Sequence, residues 1–163
     1  MSQIYQYKLT VTEDALDVNG HVNNLEYLRW MQSAAVLHSD SQGCTEATTA
    51  AGATWVVRTH HVEYLRPAFA GEHIIVLTWV SDFRRVHSLR KYRIIRLEDN
   101  AVLVKGETDW VFVDANTGRL RSIPQNVINS FIVLPKEKES EMLNRIKHFV
   151  TCEERKQEKD AGS

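Results

Sequence analysis
The chain has 163 residues, 43% of them hydrophobic, and its 20 Lys and Arg against 21 Asp and Glu leave a formal net charge of −1. That length fits one domain with a real core, and the even charge balance excludes the basic footprint of a nucleic-acid binder. Cys44 and Cys152 form neither a CxxC pair nor a zinc set, Met1 to Tyr7 lacks a signal-peptide pattern, and no apolar run reaches membrane-span length, so a reduced, cytoplasmic protein is expected.

Tyr5, Tyr7, Leu9 and Val11 alternate with polar neighbours, the period of a half-buried strand. The run Asp17-Val18-Asn19-Gly20-His21-Val22-Asn23-Asn24 then gathers a carboxylate, an imidazole, amides and a glycine into one loop. Asn23 or Asn24 caps a helix running to about Ser39. Tyr27, Leu28, Trp30, Met31, Ala34, Ala35 and Leu37 cover most of that helix, and Glu26, Arg29 and Ser33 leave only a narrow polar stripe. Such a helix is expected to be enclosed by other structure. Asp40 to Ala53 reads as a loop with room for one helical turn.

Thr54 to Leu65 is strand-like and stops at Arg66-Pro67; Gly71-Glu72 turns the chain into His73 to Phe83, apolar on both faces at Ile74 to Leu77. Arg90 to Leu97, an Asp99-Asn100 turn and Val102 to Val113 read as a hairpin, and Asp114 to Gly118 signals another. Pro124 opens a short helical stretch, Gln125 to Phe131. Strands joined by turns this short must be antiparallel. The class is therefore α+β, a curved antiparallel sheet around one helix. The composition changes after residue 135, which divides the chain into 1–135 and a tail, 136–163. In the tail Leu143, Ile146, Phe149 and Val150 recur at helical spacing, and the mixed charges from Glu153 to Asp160 predict a solvated end.

Asp17 is the best acid or base in the sequence. It precedes Gly20, which permits a sharp turn, and it sits just ahead of a helix N-terminus, where the dipole favours a carboxylate. The backbone N–H of Asn24, in the first turn, can point at a substrate carbonyl. A plain Asx cap is the competing reading of the same residues. His21 stands between an electrostatic helper, an alternative base and a structural loop histidine. His60 and His61 are adjacent on a strand and point to opposite faces, so no metal is expected there. Arg84 and Arg85, with His87, Arg90 and Lys91 nearby, form the densest basic cluster: either a solvated hairpin or a phosphate contact. No GxSxG, Cys–His or glycine-rich phosphate pattern occurs. Trp55, Trp79 and Trp110 fall on strand patterns and are expected in the core.

The Asp17-to-Asn24 motif with Tyr27 resembles the hot-dog-fold acyl thioesterases of the 4-hydroxybenzoyl-CoA thioesterase type. Val62-Glu63-Tyr64-Leu65-Arg66-Pro67 with Gly71-Glu72, and Thr117-Gly118-Arg119 with Ile123-Pro124, extend the likeness over about residues 4–134. The resemblance implies a long helix wrapped by five or six antiparallel strands, and a homodimer or homotetramer with interfacial sites. The apolar faces of Ile74 to Val80 agree with such assembly. It also implies hydrolysis of an acyl-CoA or acyl-ACP thioester with no metal or redox cofactor, no nucleic acid and no membrane. By the same resemblance Asp17 is nucleophile or general base and Asn24 polarises the carbonyl. Asn19 and His21 match the amide and imidazole used by plant acyl-ACP thioesterases; Gly20, Asn23 and Tyr27 line the substrate, and Arg84 and Arg85 match a basic pair that contacts the CoA nucleotide. A 3-hydroxyacyl thioester dehydratase and a non-catalytic acyl-CoA-binding protein are the alternatives.

Overall fold
The computed structural model describes residues 3–146. Strand β1 (Tyr5–Thr10) is followed by helix α1 (Asn24–Ser41), helix α2 (Cys44–Ala50) and strands β2 (Ala53–Tyr64), β3 (His73–Arg84), β4 (His87–Arg96) and β5 (Val102–Asp114). A short helix α3 (Gln125–Ile128) and helical residues 139–146 complete the described chain. The five strands form one sheet in the order β1-β3-β4-β5-β2, and every pairing is antiparallel. This is the hot-dog arrangement, with α1 across the concave face of the sheet.

Side-chain alternation sorts the strands into two cores. Ile74, Val76, Tyr92, Ile94 and Val104 face α1, where they pack on Tyr27, Met31, Ala34 and Ala35. Ile75, Leu77, Trp79 and Ile95 point outward and are covered by Ile4, Leu134 and Ile146. The period of two explains why β3 is apolar on both faces: each face has its own cover. The faces of Ile74 to Val80 are thus satisfied within one chain, and they leave nothing for a second copy to bury. Gly106 lets α1 come close to β5. A Cβ there would meet the Met31 methyl at 2.6 Å.

Several expectations need correction. Helix α1 is not enclosed: Tyr27, Met31, Ala34, Ala35 and His38 are buried, but Leu25 is 63% exposed, Val36 50% and Leu37 41%. The segment after α1 holds a two-turn helix, α2, started by Gly43 in the left-handed region at φ 78°. Strand β4 begins at His87, three residues earlier than read, because His87–Arg84 pairing closes a tight hairpin. Helix α3 ends at Ile128 and not at Phe131. Of the three strand tryptophans, Trp79 is fully buried, whereas Trp55 and Trp110 line a cavity. In the tail, Lys91 Nζ meets Glu139 Oε1 at 2.8 Å, which pins the start of helix 139–146 to the outer face. Phe149, Val150, Cys152 and the charged run from Glu153 lie outside the described residues.

Candidate active site
The Asp17 loop is built by its own backbone. Leu16 and Val22 bridge across its base, the Asp17 N–H donates to the His21 carbonyl at 2.7 Å, and Gly20 N–H donates to the Asp17 carbonyl at 3.1 Å. That tight return needs the positive φ of Gly20, 76°. Asp17 Oδ1 accepts from the N–H groups of Asn19, at 2.9 Å, and His21, at 3.3 Å. Asp17 Oδ2 has no partner among the described residues. One carboxylate oxygen therefore fixes the loop while the other stays free.

Asn23 is the cap. Its side chain accepts from Leu25 N–H at 3.0 Å, and its carbonyl takes the Glu26 N–H at 2.9 Å. The next N–H, of Asn24, has no acceptor among the described residues. The loop thus carries a carboxylate oxygen without a partner among the described residues and leads into an unpaired N–H at the positive end of an 18-residue helix. Asn19 and His21 are exposed on the same loop, with the His21 ring edge-on to Phe69 at 5.1 Å. Tyr27 is 2% exposed; its hydroxyl accepts from Ala68 N–H at 2.9 Å, and burial raises its pKa. Together with Val22 N–H on the Ala68 carbonyl, it ties the 66–72 loop to the Asp17 loop.

Arg84 and Arg85 are not beside this loop. The loop follows β1, whose end pairs with His73 at the start of β3, while the two arginines close the far end of β3. At about 3.3 Å per residue the separation along the strand is about 36 Å. Arg84 is bound to Asp109 at 2.8 Å and Asp82 at 3.5 Å, and Arg85 carries no side-chain partner among the described residues. The histidine pair divides as expected: His60 Nδ1 contacts Thr108 Oγ1 at 2.8 Å, and His61 faces Glu63 at 3.6 Å. Among the described residues, no group of three or more His, Cys, Asp or Glu is placed to hold a metal.

A cavity of about 340 Å³ opens at the arginine end of the sheet, beneath the C-terminal half of α1. Val80, Phe83, Trp55, Trp110 and Phe131 supply its apolar walls, and Arg90 lies in its floor. The sequence reading missed this site. Its residues are scattered over two helices, four strands and the segment after α3, and Arg90, which falls in the basic cluster of the sequence, is only 4% exposed.

The amino-acid sequence matches the profile of the thioesterase-like superfamily over residues 11–131. The chain belongs to that superfamily. Solved structures repeat its fold at low identity. The probable thioesterase YbaW of Escherichia coli superimposes with a TM-score of 0.72 at 20% identity, over 77% of this chain and 95% of that one. A 1,4-dihydroxy-2-naphthoyl-CoA thioesterase from Synechocystis gives 0.70 at 16%, over 78% and 94%. The 12:0-ACP thioesterase of Umbellularia californica gives 0.74 at 20%, over 82% of this chain and 52% of that one. Among curated proteins no relative matches by sequence. No helix among the described residues of this thioesterase-like chain is long and apolar enough to cross a membrane.

Proposed function
We propose that the protein hydrolyses an acyl-CoA or acyl-ACP thioester to a carboxylic acid and a free thiol, at a site completed by a second copy of the chain. The observation that carries this reading is that Asp17 Oδ2 and the Asn24 N–H, at the two ends of one loop at the start of α1, both lack a partner among the described residues. Asp17 takes a proton from water, or attacks directly, and the oxyanion is held by Asn24 N–H and the α1 dipole. On the first route that proton passes to the departing thiolate. On the second the thiolate leaves as the Asp17 acyl anhydride forms and takes a proton from solvent, and water then cleaves the anhydride to the acid and the free Asp17 carboxylate. Asn19 and His21 orient the base or the water, while Gly20, Asn23 and Tyr27 shape the wall against which the acyl carbonyl lies. The thioester is already electrophilic, so no cofactor enters.

The second copy is argued from register. Tyr64, at the end of β2, donates its hydroxyl to the Asn24 carbonyl at 3.2 Å, so this end of the edge strand lies by the Asp17 loop. Ala53 and Trp55, at its start, lie by the cavity. Two β2 edges paired antiparallel about a two-fold axis set the Asp17 loop of one copy against the cavity of the other. Val56 and Val57 on β2, 44% and 41% exposed, and Val36 and Leu37 on α1 are the apolar residues such a contact would cover. Arg85, whose side chain has no partner among the described residues, is then the group available to a carrier phosphate.

The test is thiol release from acyl-CoAs of graded length by wild type and Asp17→Asn. The isosteric change removes the charge and keeps the loop, so turnover should fall by about two to four orders of magnitude while acyl-CoA binding persists. A loss below tenfold would leave Asp17 as a cap.

A further inference from the structure
Arg90 presents a charge that no described residue neutralises. Its Nη1 donates to His38 Nδ1 at 2.9 Å and to Thr78 Oγ1 at 3.1 Å. Both partners are neutral. The Thr78 hydroxyl spends its own proton on the Lys91 carbonyl at 3.0 Å, and His38 is held unprotonated by burial and by Arg90 itself. The Phe131 ring lies against the guanidinium at 5.3 Å. Among the described residues no carboxylate approaches it within 4.0 Å and no acceptor meets Nε or Nη2. The neighbouring residue sets the contrast: Lys91, on the outer face, is equally buried but has Glu139 at 2.8 Å. A buried cation with fixed geometry, unused N–H groups and no counter-ion is a site for an anion.

The cavity says what kind of anion. Arg90 and Val80, paired in register, lie nearer the middle of the sheet than the other strand residues of the wall, so they stand at the inner end. The exposed residues of the wall, among them Gln32, Val36, Thr45 and Thr49, lie at the rim, as does Asp40, whose Oδ1 accepts from Thr45 Oγ1 at 2.6 Å. Between rim and floor the walls are aromatic and aliphatic. At about 340 Å³ the cavity is near the small end of ligand pockets, which suits a short acyl chain. Resting on the thioesterase reading above, we infer that the cavity takes an acyl group whose far end is a carboxylate, a dicarboxylic acid bound through one thioester, with Arg90 as the counter-ion of the free end.

The experiment compares adipoyl-CoA with hexanoyl-CoA, equal in chain length, on wild type, Arg90→Met and Arg90→Lys. Wild type should favour adipoyl-CoA at least tenfold in kcat/KM. Arg90→Met should cut that ratio at least tenfold, and Arg90→Lys should keep part of it. A wild-type preference for hexanoyl-CoA overturns the inference even if Arg90→Met does not fold. A separate arm needs no turnover: quenching of tryptophan fluorescence by free hexanoate, with hexan-1-ol and chloride as controls, reads the anion site through Trp55 and Trp110. Quenching by hexanoate alone, abolished in Arg90→Met and weakened in Arg90→Lys, supports the site; equal quenching by all three overturns it. If hexanoate binds through Arg90 but neither thioester is cleaved, the anion site stands and the hydrolase reading falls.

Discussion

His38 shows how strongly one environment can oppose an ordinary preference. It sits in the last turn of α1, where the helix dipole favours a cation by about 0.3–1 kcal/mol. Burial and the Arg90 charge act the other way and lower its pKa from 6.5 to about 3. The unfolded chain therefore binds a proton below pH 6.5 that the folded chain refuses until about pH 3. Stability from this residue is complete above pH 6.5 and is lost as the pH falls through that window. The slope it adds approaches about 1.4 kcal/mol per pH unit. In His38→Gln, whose amide oxygen still accepts from Arg90, urea denaturation across the window should be correspondingly flatter than in wild type. Equal slopes would mean that His38 protonates without cost. The sequence displayed Asp17 and its loop because the residue types and the glycine turn are contiguous. It hid His38 and Arg90, whose meaning lies in a contact between residues 52 positions apart. A parity signal existed: Ser88, Arg90, Tyr92 and Ile94 alternate as one inward row once β4 is begun at His87.

Periodicity reported the strands at the scale of elements because pleat and turn chemistry are local, and all five appear where alternation or an apolar run predicted them. It missed α2, whose sequence Cys-Thr-Glu-Ala-Thr-Thr-Ala has weak helix formers and no apolar stripe. Tertiary contacts hold that helix: the Trp55 indole N–H donates to Thr48 Oγ1 at 3.1 Å, and Cys44 packs with Phe112 and Phe131. The helical tail is secured differently, by charge. Lys91 and Glu139 have side chains only 9% and 11% exposed, and Trp79 Nε1 also reaches Glu139, at 3.4 Å. Removing one member leaves the other buried and alone, a loss of about 3–5 kcal/mol, whereas replacing both by apolar groups of similar size is near neutral. Glu139→Met should therefore lower stability by about that amount in chemical denaturation, and Lys91→Met with Glu139→Met should recover most of it. Equal destabilisation of the single and double variants would assign the effect to packing against Trp79 instead.

For the whole molecule, the Asp17 loop and the cavity lie at opposite ends of one chain, and a single copy gives an acyl thioester no way to reach both. Helix α1 alone separates them: from Asn24 to Asp40 it rises about 24 Å at 1.5 Å per residue. Symmetric pairing of β2 edges removes the difficulty, since each copy then lends its loop to the cavity of the other. Sedimentation equilibrium should accordingly find twice the 18.8 kDa chain mass or a multiple of it. Mixing two inactive variants decides whether the site is shared. Asp17→Asn spoils the loop, and Thr49→Trp places an indole at the exposed mouth of the cavity. If each site draws its loop from one copy and its cavity from the other, a mixed dimer holds one site spoiled twice and one site intact. Statistical re-association of equal amounts should then restore about a quarter of wild-type thiol release. If loop and cavity serve within the same chain, every site in the mixture keeps one lesion and no activity returns.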